Sequence, residues 1–78
     1  MNTESLWHSE VSGCSKGELA QAYFPRTIDP KNALRNLARW INMNPELVKQ
    51  LKESGYQRRQ RLLTPRQVSI IYKFLGEP

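Results

Sequence analysis

The chain is predicted to be all-α, with four short helices in a compact helix-turn-helix-like bundle and a minor two-stranded β bridge. Three observations predict this class. A capping residue stands directly before proline at the head of an apolar-periodic run at Asp29-Pro30, Asn44-Pro45 and Thr64-Pro65. The cap side chain accepts a hydrogen bond from an orphaned backbone N–H, and proline at the first helical position gives up an N–H that has no partner anyway. A fourth start, Ser15-Lys16-Gly17-Glu18, has capping-box spacing without proline. Stops follow at helical distances, with Pro25 after the first run and Gly55 after the third.

The first dozen residues carry Leu6, Trp7 and Val11 among polar neighbours. They read as a partly ordered segment, 1–14, ahead of a single helical domain over 15–78. A Trp is costly to leave in water in so small a domain, so the segment around Trp7 to Val11 is expected to pair with Arg61 to Leu63 as a short bridge. Helix one, about Lys16 to Phe24, presents Leu19, Ala20 and Tyr23 at core-like spacing. Helix two runs from about Pro30 to Asn42. At roughly 100° per residue, Ala33, Leu34, Leu37, Trp40 and Ile41 form one stripe, opposite Lys31, Asn32, Arg35, Asn36 and Arg39. Helix three, about Pro45 to Ser54, buries Leu47, Val48 and Leu51 and shows a mixed-charge outer face that needs no special function. Helix four, about Pro65 to Leu75, aligns Val68, Ile71, Tyr72 and Leu75, with Ile70 and Phe74 on its other side. The expected shared core is Leu34, Leu37, Trp40, Ile41, Leu47, Leu51, Val68, Ile71 and Leu75.

Seventy-eight residues make one domain with a small core and a net stability of a few kcal/mol. The net charge of +5 suits nucleic acid or an acidic partner. The single cysteine, Cys14, excludes an intrachain disulfide, and no Cys/His cluster has zinc spacing. No apolar stretch reaches transmembrane length and the N-terminus lacks the pattern of a signal peptide, so the expected compartment is the cytoplasm.

No pattern specifies a reaction, a cofactor, a metal or a small-molecule substrate. His8 and Cys14 stand alone without a nucleophile–base partner, so the expected role is a non-enzymatic binding module. The basic, amide-rich face of helix two is chemically suited to DNA. Arg reads guanine edges, Asn reads adenine, and Lys and Arg bind phosphate. Lys31, Asn32, Arg35, Asn36 and Arg39 are candidates there, and Arg58, Arg59 and Arg61, in what reads as a flexible run, are candidates for phosphates. Phe24 to Asp29 is longer than the usual three- or four-residue DNA-binding turn and has no glycine. The alternative is a protein-interaction or self-association module that uses the apolar surplus at Trp7, Ile70 and Phe74. A helix apolar on two sides is usually covered on both.

Several segments in order, Glu18-Leu-Ala-Gln-Ala-Tyr-Phe-Pro25, Leu37-Ala-Arg-Trp-Ile41, Asn44-Pro-Glu-Leu47, Gly55-Tyr56, Leu63-Thr-Pro-Arg-Gln-Val68 and Leu75-Gly-Glu-Pro78, together resemble a family of small single-domain proteins of unknown function from Bacteroides-group bacteria. The resemblance covers most of the chain after Gly13. It implies a compact cytoplasmic helical domain and carries over no catalytic or binding residues.

Overall fold

The computed structural model describes residues 13–78. In chain order the elements are β1 (Cys14–Ser15), α1 (Lys16–Tyr23), α2 (Pro30–Asn42), α3 (Pro45–Glu53), β2 (Leu62–Leu63) and α4 (Pro65–Leu75). Each helix starts where its cap places it. Ser15 Oγ accepts from the Glu18 N–H at 3.0 Å, Asp29 Oδ1 from Lys31 at 3.0 Å and Asn44 Oδ1 from Leu47 at 3.2 Å. Thr64 and Gln67 form a reciprocal capping box, each side chain accepting from the other's backbone N–H. Replacing Asp29, Asn44 or Thr64 with Ala is therefore expected to cost about 1 kcal/mol each. Urea denaturation of the three variants measures it, and unchanged midpoints in all three would mean that the caps contribute nothing.

The helices close on a core of Leu19, Ala20, Ala33, Leu37, Ile41, Leu47, Leu51, Leu63, Val68 and Ile71, all buried. Three residues expected in that core stand at its rim, Leu34, Trp40 and Leu75. Leu34 is 37% and Trp40 40% exposed. They project about 60° to either side of Leu37 on α2, beyond the sector that α1 and α3 cover. Trp40 is partly sheltered by aromatic neighbours, its ring centroid lying 4.6 Å from that of Phe24 and 6.0 Å from that of Tyr23. Leu75 is likewise only half-buried, near the end of α4. Ile70 and Phe74 are half-buried and pack against the core; Trp7, grouped with them as an apolar surplus, lies outside the described residues.

A two-stranded β bridge forms, as expected. Leu62–Leu63 pairs antiparallel with Cys14–Ser15, in the register Cys14 to Leu63 and Ser15 to Leu62; the expected pairing of Trp7 to Val11 lies outside the described residues. Strand alternation sends Leu63 into the core and leaves Leu62 70% exposed. Gly13 makes the approach possible, since a Cβ there would lie 2.4 Å from the Leu63 carbonyl oxygen. The Lys16 N–H extends the pairing by donating to the Arg61 carbonyl at 2.8 Å. At the far end of the molecule the Tyr23 hydroxyl donates to the Gly76 carbonyl, tying α1 to the end of α4. Burial, and then the neighbouring Tyr72 and Glu77, push its pKa well above the ordinary value, so it remains a donor.

Candidate nucleic-acid interface

The α2 helix presents Lys31, Asn32, Arg35 and Arg39 to solvent, with Asn36 half-buried. The wheel that puts Leu37 at the core divides this face in two. Lys31 and Arg35 lie toward the Leu34 and Ala38 edge. Asn32, Asn36 and Arg39 lie toward the Trp40 edge. The connector to α1 keeps the length read from the sequence. It begins with a turn in which the Thr27 N–H donates to the Phe24 carbonyl at 3.1 Å, and Pro25 occupies the position where its fixed φ is favourable. Ile28 then stands 96% exposed, and the α1–α2 pair departs from the tight glycine turn of a DNA-binding helix-turn-helix.

The arginine run is an ordered turn, which corrects its reading as a flexible segment. Its N-terminal side is set by the end of α3. Gly55, at φ +87°, closes a Schellman motif in which its own N–H donates to the Lys52 carbonyl and that of Tyr56 to the Leu51 carbonyl, both at 3.0 Å. Next, the Gln60 N–H donates to the Gln57 carbonyl at 3.0 Å, which makes Arg58 and Arg59 the two central residues of a β-turn. The Gln60 side chain pins this turn from inside. Its Oε1 accepts from the Gln57 N–H at 3.0 Å, and its Nε2 donates to the Leu62 carbonyl at 2.6 Å and to Oε1 of Gln67. Gln67 is 2% exposed, so the turn is anchored to a buried amide. From the other side, Lys16 Nζ donates to the Arg58 carbonyl at 2.7 Å and lies 4.8 Å from the Tyr56 ring centroid. The three arginines, all exposed, thus project from a held scaffold.

Between α2 and this loop runs a groove. One part, of about 480 Å³, has Leu34, Leu37, Ala38 and Ile41 of α2 facing Tyr56, Arg58, Gln60 and Arg61 across it. An adjoining part, of about 420 Å³, continues toward α3, where Asn42, Val48, Leu51 and Lys52 line it. Lys16 and Arg58 border both. The tertiary structure therefore brings Arg58 and Arg61 opposite the Leu34 edge of α2, the edge beyond which Lys31 and Arg35 follow around the helix. It leaves Asn32 and Asn36 on the far flank.

A family model described as "Domain of unknown function (DUF4248)" matches residues 12–78. The chain belongs to the DUF4248 family. No curated protein and no solved structure matches it. The DUF4248 span includes the α2 face, the arginine turn and every residue of the groove, while Trp7 and His8 precede it.

Within the DUF4248 span, Cys14 is half-buried in the β pair. Burial, and then the Glu18 carboxylate, raise its thiol pKa, which keeps it in the poorly nucleophilic protonated form. His8 lies outside the described residues. Among those described, no group of three or more His, Cys, Asp or Glu is placed to hold a metal ion, and no helix is long and apolar enough to cross a membrane.

Sequence reading missed the residues that position the arginines: Lys16, Gln57, Gln60 and the network role of Gln67. A signal for the charge pattern was present. Stretches 30–45 and 54–76 contain no Asp or Glu, and these are the stretches that supply α2 and the arginine turn. The glutamines gave no comparable signal, because their partners are set by the fold.

Proposed function

We propose that the protein is a non-enzymatic DNA-binding module. In this reading the outer face of α2 enters the major groove, with Arg35, Arg39, Asn32 and Asn36 at base edges. Arg58, Arg59, Arg61 and Lys31 hold phosphates. The observation that carries the reading is the presence of two acid-free cationic surfaces on either side of an aliphatic groove, one on the outer face of a rigid helix and one on a pinned turn. Both are in place before any ligand arrives, which lowers the ordering cost of binding.

The test is a titration of wild type and variants against one preferred and one scrambled duplex at two salt concentrations, with a light-scattering mass. Neutralising Arg58 and Arg59 together is expected to weaken binding to both duplexes equally. It should also flatten the salt dependence by about two units of logarithmic slope. Arg35→Ala or Arg39→Ala is expected to cost about 1–3 kcal/mol on the preferred duplex alone. Failure of the wild type to bind any of a broad duplex pool at low salt overturns the reading. A clean dimer without DNA binding would instead favour self-association through Ile70, Phe74 and Trp7.

A further inference from the structure

The groove has properties that phosphate binding does not use. Its floor is aliphatic, formed by Leu37, Ile41 and Leu51 of the core, with Leu34 and Ala38 at its open edge. Its rim carries Lys16, Lys52, Arg58 and Arg61, and none of its lining residues is acidic. Such a surface, apolar below and uniformly cationic above, is complementary to a ligand with an apolar centre and negative charge around it.

We propose that this groove docks an acidic, apolar peptide segment of a partner protein. The distribution of charge along the groove selects a peptide over a ligand with a single anionic head. Arg61 borders only the part beside Leu34, Lys52 only the part beside Val48, and Lys16 and Arg58 border both. Leu34 to Asn42 covers about 12 Å of helix, the length of about four residues of extended chain. Apolar side chains at the centre of such a segment reach the floor, and flanking carboxylates reach cations at both ends. Single-stranded nucleic acid fits less well. The floor offers no aromatic ring besides Tyr56, and Lys16 already lies over that ring at 4.8 Å. The Lys16 ammonium is held in place by the Arg58 carbonyl at 2.7 Å, so the cation is positioned before the peptide arrives. Lys16 and Lys52 belong to this site and not to the DNA surface. Arg58 and Arg61 belong to both, so peptide and duplex compete. The proposal does not require that DNA be bound.

The full chain is used to pan a displayed pool of random peptides of about twelve residues, and selected peptides are labelled and titrated by fluorescence anisotropy. The expected selection is an apolar pair flanked by Asp or Glu, with affinity that falls as salt rises. Ala38→Glu places a carboxylate at the exposed edge of the groove and is expected to weaken these peptides about tenfold or more, with the circular dichroism of the wild type. Lys52→Gln, a change at an exposed position of α3, is expected to weaken them several-fold and reduce the salt dependence, and it serves as the test should Ala38→Glu misfold. No selection, selection of peptides without acids, or equal affinity for wild type and the folded variants overturns the proposal. So does binding of a medium-chain alkyl carboxylate or a single-stranded oligonucleotide, lost in Ala38→Glu, when no peptide is selected. Selection of acidic peptides by a wild type that binds no duplex removes the DNA reading and leaves this one standing.

Discussion

Leu37→Ala is expected to cost about 2–5 kcal/mol and to leave most of the chain unfolded at room temperature. Leu37 is 2% exposed at the middle of the α2 stripe, between Ala33 and Ile41, and it also forms part of the groove floor. Truncation therefore removes contacts from the core and opens a void that the surrounding helices fill only in part. A domain of this size has a total stability of the same order. The control is Leu34→Ala, three residues earlier on the same helix but 37% exposed. It is expected to cost about 1 kcal/mol, because the rim side chain gives up less buried area. Urea midpoints for the two variants measure the difference. Equal losses would mean that the α2 stripe has no distinct centre.

Gln67→Ala is expected to destabilise the protein by about 1–3 kcal/mol and, beyond that, to loosen the arginine turn. Gln67 Oε1 accepts from both the Thr64 N–H and Gln60 Nε2. Its loss removes half of the capping box of α4 and leaves the Gln60 amide without its buried acceptor. Amide hydrogen exchange is the direct readout, with faster exchange expected at Gln60, whose N–H closes the turn over Arg58 and Arg59. In the DNA reading the same variant weakens duplex binding although it changes no charge, because Arg58 and Arg59 must then be ordered on binding. Unchanged exchange at Gln60 would show that the backbone holds the turn without the glutamines.

The two surfaces of the candidate site were legible to different degrees. The α2 face could be read almost whole, since which residues share a helix face follows from the 3.6-residue repeat alone. Asn36 is the exception, half-buried on the Trp40 flank, because that flank meets α1 and its connector. The arginine turn was legible as a charge run and illegible as a structure. Its anchors are Gln67, seven residues from Gln60, and Lys16, forty-two residues from Arg58; capping-box spacing marks Gln67 only as a partner of Thr64, and nothing in the local sequence ties it to Gln60 or ties Lys16 to Arg58. The groove was not legible, because it is made of space between elements.

The sequence by itself determined the four helix starts. A cap bonds to a backbone N–H two or three residues away and proline fixes its own φ, so the information is complete within one turn. It also determined that Leu37, Ile41, Leu47, Leu51, Val68 and Ile71 are core, since these lie near the centres of their apolar stripes. The tertiary structure alone decided the edges of those stripes. Leu34 and Trp40 satisfy the same periodicity as Leu37, and what separates them is how far the neighbouring helices reach around α2. It also decided which segment pairs with Leu62–Leu63. A two-residue strand carries too little pattern to choose its partner, and Cys14–Ser15 pairs there because it leads directly into α1, which packs on α2, and because Gly13 presents no Cβ to the Leu63 carbonyl.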